Sequence, residues 1–266
     1  YVSDKLINNT AIESTVNTDD KEDKNIEKTQ TANAISTSAG SSNGVSEVVE
    51  NVLPSLVAID VTATQTRTDW YGRQYSQDSS GSGSGIIVAQ DENYMYIATN
   101  NHVVANATKV SVKFYDDKVC EAVVKGTDST ADIAVVAIKR SDISSDTLEK
   151  VKVASLGDSD LVKVGEQAIA IGNALGYGTS VTVGYISAKD REVQSEDANM
   201  KLMQTDAAIN PGNSGGALVD INGNVIGINS AKYADTEVEG MGFAIPINVA
   251  NPIIKSIIEA EEVSEG

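Results

Sequence analysis

From about residue 46 onwards, short apolar runs alternate with polar, turn-rich segments along the chain. The runs are rich in valine, isoleucine and alanine, which is typical of strands with at least one buried face. They lie at residues 55–61, 85–88, 94–98, 109–114, 119–124, 133–138, 167–171, 180–186, 200–203, 217–219 and 225–228. Because no helical periods alternate with them, a parallel α/β sheet is disfavoured. About a dozen short strands favour an all-β fold of one or two antiparallel barrels.

The two ends of the chain follow different patterns. Residues 1–45 are polar and aperiodic, so we expect a disordered or extended N-terminal arm. A short helix is predicted near residues 48–53, ended by Pro54, and a terminal helix at 252–261, where isoleucines recur at helical spacing. The expected organisation is therefore the arm, a domain over residues 46–250, and a C-terminal helix with the start of a linker over 251–266. Polar segments at 70–84, 189–199 and 233–240 are predicted loops.

Composition narrows the possible functions. The formal net charge of -18 disfavours binding to nucleic acid or to anionic lipid headgroups. A single cysteine, Cys120, excludes an intramolecular disulfide, and we expect it to pack as a small hydrophobic residue. The sequence predicts no metal site and no cofactor. No apolar run approaches the length of a membrane helix, and a chain that starts with Tyr1 is interpreted as a fragment lacking any export signal or anchor.

Three residues in a particular order suggest nucleophilic catalysis. His102 is the only histidine, Asp132 precedes the apolar run at 133–138, and Ser214 lies in a glycine-rich segment. That segment also matches the nucleophile elbow of α/β-hydrolases, but in those enzymes the catalytic histidine follows the serine, and here none does. The order His, Asp, Ser is that of chymotrypsin-like proteases.

Each residue type has a chemical reason to be there. Ser214 would attack a carbonyl carbon after His102 removes its proton, and Asp132 would orient the imidazole from a partly buried position at a sheet end. The oxyanion hole is predicted at Gly212, Asn213 and Ser214, where a tight turn could direct the Gly212 and Ser214 amides at the developing negative charge.

Several motifs resemble those of the HtrA (DegP-like) serine proteases over residues 46–258. They are residues 99–104 around His102, 128–135 around Asp132, 204–216 around Ser214, Gly83-Ser84-Gly85, 168–173 and 242–246. The resemblance implies a chymotrypsin-like double antiparallel β-barrel with short terminal helices. It also implies endoproteolysis of unfolded or misfolded exported proteins, in protein quality control and stress responses. Homotrimers, a C-terminal PDZ domain and a bacterial, extracytoplasmic, membrane-anchored full-length protein are further implications.

The resemblance also locates a specificity pocket, at Ala208, Ile209 and Asn229. In double-barrel proteases the residue six before the nucleophile, here Ala208, lines the pocket base, so cleavage after small or medium aliphatic residues is expected. Digestive members are activated when a new N-terminus pairs with an aspartate before the serine. Asn213 is uncharged there, so ordering of loops around the oxyanion hole is the favoured means of activation.

Two rival functions remain open at this stage. The main one is a catalytically silent chaperone or binding module for unfolded chains built on the same barrels. A polymer-forming structural protein is a more distant alternative, since it would not need the glycine geometry around Ser214. The presence of nucleophile, base, orienting acid and oxyanion glycines favours the enzyme.

Overall fold

Twelve strands close into two barrels in the computed structural model, which describes residues 44–68, 70–71, 73–173, 178–194, 199–233 and 240–260. The arm predicted over residues 1–45 therefore lies almost entirely outside the described residues. So do parts of all three predicted loops, namely residues 72, 195–198 and 234–239.

The first barrel comes from the N-terminal half of the described chain. Its strands are β1 (Leu56–Thr68), β2 (Gln74–Gln90), β3 (Tyr94–Thr99), β4 (Lys109–Lys113), β5 (Val119–Asp128) and β6 (Ile133–Lys139). They pair in the order β1-β2-β3-β6-β5-β4, every neighbouring pair is antiparallel, and β4 returns to β1 to close the sheet.

The second barrel repeats this arrangement. Its strands are β7 (Gln167–Asn173), β8 (Thr179–Gln194), β9 (Asn199–Thr205), β10 (Ala217–Val219), β11 (Val225–Asn229) and β12 (Gly242–Pro246). They pair in the order β10-β11-β12-β9-β8-β7, again antiparallel and closed. The expected all-β fold of two antiparallel barrels is confirmed.

Strands at the junction of the barrels are buried on both faces, which explains their uninterrupted apolar runs. In β6, Ala134, Val136 and Ile138 lie in the core of the first barrel. The alternating residues Ile133 and Val135 join a separate apolar cluster that also includes strands of the second barrel. Because successive strand residues point to opposite faces, both sets can be buried only where a second layer covers the strand.

The polar segment at residues 70–84 was predicted as a loop, and this prediction is wrong for most of it. Strand β2 begins at Gln74 and pairs with β1 through thirteen successive partners, from Thr68↔Gln74 to Leu56↔Ile86. The outer half of this hairpin has polar residues on both strands. It is held by its backbone ladder, so no apolar periodicity marks it in the sequence.

The helices flank the barrels. α1 (Val45–Val52) buries Val48 and Val52, and α2 (Asn101–Val104) is a single turn. The sequence did not predict α3 (Ser145–Lys150). α4 (Ile247–Glu259) begins five residues earlier than predicted. α4 reaches the first barrel, where Lys125 Nζ donates to the carbonyl of Ala260 at 3.0 Å. No helix within the described residues is long and apolar enough to cross a bilayer.

Cys120 lies on β5 and is half-buried. Its Sγ donates to the carbonyl of Asp142 at 3.3 Å, and it packs against the core of the first barrel. Burial raises the pKa of the Cys120 thiol, with the nearby carboxylates of Asp142 and Asp116 adding to the effect. A thiol held in its protonated form is a poor nucleophile, consistent with a packing role.

Candidate active site

His102 and Asp132 meet at one end of the first barrel. His102 lies in α2, which follows β3. Its Nδ1 is 2.8 Å from Asp132 Oδ2 and 3.0 Å from Oδ1. The carboxylate is fully buried, whereas the imidazole is 30% exposed. The structure thus buries Asp132 more completely than the partial burial predicted, because the second barrel covers this sheet end.

The backbone fixes Asp132 as firmly as its side chain does. Its φ of 53° lies in the left-handed region, which among side-chain-bearing residues aspartate and asparagine tolerate best. The carbonyl of Asp132 accepts from the Asn101 amide and from Asn100 Nδ2, both at 3.1 Å. Its Oδ1 also accepts from the His102 amide at 3.0 Å. Asp132 and His102 are therefore linked through both backbone and side-chain hydrogen bonds.

Ser214 comes from the second barrel and reaches this pair across the junction. Its Oγ lies 2.9 Å from His102 Nε2 and 3.1 Å from Asn100 Oδ1, and it accepts from the Ala231 amide at 3.1 Å. The side chain of Ser214 is almost completely buried. The structure thus brings together His102, Asp132 and Ser214, which lie far apart in the sequence.

Two further buried residues contact this group of three and were not singled out from the sequence. Ser230 Oγ donates to Asp132 Oδ2 at 3.1 Å, giving the carboxylate a partner besides the imidazole. Asn100 bridges Ser214 and the Asp132 carbonyl; because a carbonyl can only accept, the Asn100 amino group must face it and the amide oxygen must face Ser214. Asn100 lies in the motif around His102, whereas nothing in the sequence marks Ser230.

The turn before Ser214 has an unexpected conformation. Residues Pro211–Asn213 form a 3-10 turn, closed by a bond of 3.0 Å from the Asn213 amide to the Asn210 carbonyl. Gly212 is not among the described glycines with positive φ. Proline followed by glycine is instead the signature of a type II turn, in which the glycine has φ near +80°. A 3-10 turn has the dihedral angles of a type I turn. Turns of types I and II differ mainly by rotation of the central peptide, here the one between Pro211 and Gly212.

Asn213 is held by neutral backbone partners. Its Nδ2 donates to the Ala208 carbonyl and its Oδ1 accepts from the Asn210 amide, both at 3.0 Å, and the residue is almost fully buried. An aspartate here could not donate to Ala208 and would need a cation nearby. The amide therefore needs no ion pair with a chain terminus.

The residues predicted to form the specificity pocket lie near this loop in different environments. Ala208 is exposed, and its carbonyl accepts from Thr182 Oγ1 at 2.9 Å as well as from Asn213. Ile209 is buried in the core of the second barrel. Asn229 is fully buried; its Nδ2 donates to the Ala217 carbonyl, and its Oδ1 has no hydrogen-bond partner among the described residues.

Comparison with known proteins gives consistent results. A family model described as "Trypsin-like peptidase domain" matches residues 83–228. The chain is 39% identical over 232 residues to the "Serine protease Do-like HtrA" of Bacillus subtilis, covering 84% of this chain and 50% of that protein. It is 34% identical over 232 residues to the "Periplasmic pH-dependent serine endoprotease DegQ" of Escherichia coli, covering 82% and 49%.

The solved structures agree with the curated relatives. One described as "HtrA-type protease AlgW with decapeptide" matches with a TM-score of 0.65 and 36% identity, over 80% of this chain and 67% of that one. The chain spans about half the length of the curated relatives it matches.

Proposed function

Because this chain belongs to the family of trypsin-like peptidases, we propose that it is a serine endopeptidase with His102, Asp132 and Ser214 as its catalytic triad. The observation that carries the proposal is the continuous path from Ser214 Oγ through the His102 ring to the buried Asp132 carboxylate. Hydrogen bonds of 2.9 and 2.8 Å are short enough for proton transfer at one end and for orientation at the other.

The chemistry follows from these contacts. As Ser214 Oγ bonds to the carbonyl carbon, its proton passes to His102 Nε2, and the imidazolium is stabilised by Asp132 through Nδ1. Collapse of the tetrahedral intermediate breaks the C–N bond, and the amine leaves with the proton from His102. A water molecule then attacks the acyl-enzyme, giving its proton to His102, and Ser214 recovers a proton when the product acid is released.

The oxyanion donors of this mechanism would be the amides of Gly212 and Ser214, with Asn213 holding the loop between them. In a 3-10 turn, the carbonyl of Pro211 is directed towards the amide three residues later, that of Ser214. Rotation of the Pro211–Gly212 peptide to the type II form would turn that carbonyl away and direct the Gly212 amide into the site. Activation would then consist of ordering the neighbouring loops around this flip.

Substrate choice is part of the same proposal. Ala208 at the pocket base, with Ile209 and Asn229 as the other candidate wall residues, provides no carboxylate to pair with lysine or arginine. We expect cleavage after small or medium aliphatic residues of unfolded or misfolded polypeptides. The DegQ relative is described as periplasmic, which supports an extracytoplasmic location. A homotrimer, a C-terminal PDZ domain and a membrane anchor in the full-length protein follow from the HtrA resemblance alone.

The proposal is tested by digesting unfolded casein with the purified chain and with Ser214→Ala. The parent should release peptides whose cut sites, read by mass spectrometry, follow small or medium aliphatic residues, and the variant should release none. Equal cleavage by both proteins would show that a contaminant is responsible and would contradict the triad.

The 3-10 turn at Pro211–Asn213 favours a second candidate function, a catalytically silent binding module for unfolded chains. A site in which the Gly212 amide is not directed inwards could still bind polypeptide. An active-site fluorophosphonate separates the two. Labelling of the parent, absent in Ser214→Ala, supports the enzyme. Absence of labelling together with suppression of casein aggregation supports the binding module.

A further inference from the structure

Three glycine-containing motifs converge on one buried hydroxyl beside the nucleophile. Gly83-Ser84-Gly85 lies on β2 of the first barrel, Gly172 and Asn173 end β7 of the second, and Gly212 precedes the nucleophile. Ser84 is fully buried where they meet. The triad mechanism uses neither of the first two motifs.

Three hydrogen bonds of Ser84 join β2 to residues of the second barrel. Its Oγ donates to the Gly212 carbonyl at 2.9 Å and accepts from the Asn173 amide at 2.8 Å. Its own amide donates to the Ser214 carbonyl at 2.8 Å. The hydroxyl therefore ties both barrels to the segment that carries the nucleophile.

The neighbouring glycines make this approach possible. A Cβ at Gly172 would lie 2.7 Å from Ser84 Oγ and 2.5 Å from the Cα of Asn213, and one at Gly83 would lie 3.1 Å from the Ser214 carbonyl. A side chain at Gly172 would therefore push the loop away from Ser84, whereas one at Gly83 would first meet the side chain of Val103, at 2.8 Å. The packing around the hydroxyl is thus built from residues on three separate elements.

The bond to Gly212 has a specific consequence for the turn. Type I and type II turns share the ψ of their third residue, near 0°, and differ in the ψ of the second and the φ of the third. The Gly212 carbonyl therefore keeps its direction when the Pro211–Gly212 peptide flips. A hydroxyl bonded to that carbonyl can hold the loop in both states while the preceding peptide rotates.

We propose that Ser84 is a positioning residue for the oxyanion hole, an inference that rests on the proposed function. It fixes the Gly212–Asn213 peptide, so that the flip brings the Gly212 amide to a defined place beside Ser214. Without the hydroxyl, the whole 210–213 loop moves with the flip and the donor is no longer preorganised.

The test is Ser84→Ala, with Thr99→Val as matched control. Thr99 is also fully buried, and its Oγ1 donates to the carbonyl of Ser84 at 2.8 Å. Ser84→Ala removes the buried hydroxyl of Ser84, and Thr99→Val removes the buried hydroxyl that donates to the Ser84 carbonyl. Only Ser84→Ala frees the Gly212 carbonyl. Kinetics on a peptide substrate, affinity for a peptidyl boronate that mimics the tetrahedral intermediate, and thermal melting are measured for both.

Losing one oxyanion donor lowers turnover by about 10²–10³. For Ser84→Ala we expect kcat to fall by about tenfold or more and boronate affinity to fall in parallel, with KM within about threefold. Thr99→Val should lose thermal stability but keep kcat within about threefold of the parent. A kcat loss for Ser84→Ala below about tenfold, or one matched by Thr99→Val, would overturn the inference.

If Ser84→Ala does not fold, Ser84→Cys replaces it, since a thiol is nearly the same shape but a weak donor, and the same threshold decides. An inactive, unlabelled parent protein would overturn both this inference and the proposed function. An active parent with an equally active Ser84 variant would overturn this inference alone.

Discussion

The acid–base half and the nucleophile half of the site are built differently. In the first barrel, the backbone and side chain of Asp132 together accept hydrogen bonds from Asn100, Asn101 and His102, so base and acid are held in place before any substrate arrives. In the second barrel, Ser214 follows a 3-10 turn although Pro211 and Gly212 are the residues of a type II turn. We infer that the proton path is preassembled and that control is exerted at the 210–213 turn.

Removing the base is expected to give the largest effect in the acid–base half. His102→Ala should lower kcat by about 10⁴-fold or more, because no other histidine in the chain can accept the serine proton. The fold should persist, because the buried Asp132 carboxylate keeps its hydrogen bonds from the His102 amide and from Ser230 Oγ. Kinetics and circular dichroism check both statements. A variant that keeps more than about one hundredth of the parent turnover would contradict the role of His102.

Acidification should impair the acid–base half of the site without any mutation. A protonated imidazole cannot accept the serine proton, and the chain has one histidine, so kcat/KM should fall on acidification. The charged group placed against His102 among the described residues is Asp132. The measurement needs a peptide substrate without titrating groups. A kcat/KM that does not fall on acidification while the protein stays folded would contradict the role of His102.

A backbone substitution should affect only the nucleophile half. Gly212→Ala disfavours positive φ by about 1–2 kcal/mol, so the type II turn becomes rarer and kcat should fall by about tenfold. Gly223→Ala is the control, because Gly223 has a φ of +81° in the hairpin between β10 and β11. It should lower stability and leave kcat unchanged. Full activity in Gly212→Ala would show that the flip is not needed.

The smallest effect is expected away from the site, at the turn between β2 and β3. Hydrogen bonds from the Tyr94 amide, the Tyr96 hydroxyl and the Asn93 amide lower the pKa of Asp91. A lowered folded-state pKa means that this stabilisation is present above the unfolded pKa, near 4, and is lost as the pH falls through the folded value.

For this exposed carboxylate we therefore predict that Asp91→Asn lowers the melting temperature at pH 7 by at most about 2 °C. The difference should shrink in acid, and kcat should not change. Melting curves at several pH values provide the check. A loss of activity would show that the acid–base half depends on distant turns as well as on its own hydrogen bonds.

Sequence and structure agree where burial leaves a pattern. Both faces of β6 are covered, so its sequence is a continuous apolar run, and that run predicted a strand. The chain order of His102, Asp132 and Ser214 identified three residues that the fold brings together. Order along the chain is informative here because it separates proteases that place the same groups on different folds.

Features held by backbone geometry were not predictable in this way. The outer part of the β1–β2 hairpin carries polar residues and is held by its ladder, so composition indicated a loop. The turn at Pro211 and Gly212 adopts the form that its own residues do not favour, which only the surrounding contacts can impose. Ser84 lies far from Ser214 in sequence, and its role depends on a single bond to Gly212.

The left-handed backbone conformation at Asp132 limits which amino acids can replace it during evolution. Glutamate or alanine there would be strained, whereas asparagine adopts the same dihedral angles as aspartate with little penalty. An Asp132→Asn allele, one nucleotide away, would keep the fold and its anchoring bonds while losing about 10⁴-fold in turnover. Under the proposed mechanism, a single mutation that leaves the fold intact would therefore abolish catalysis.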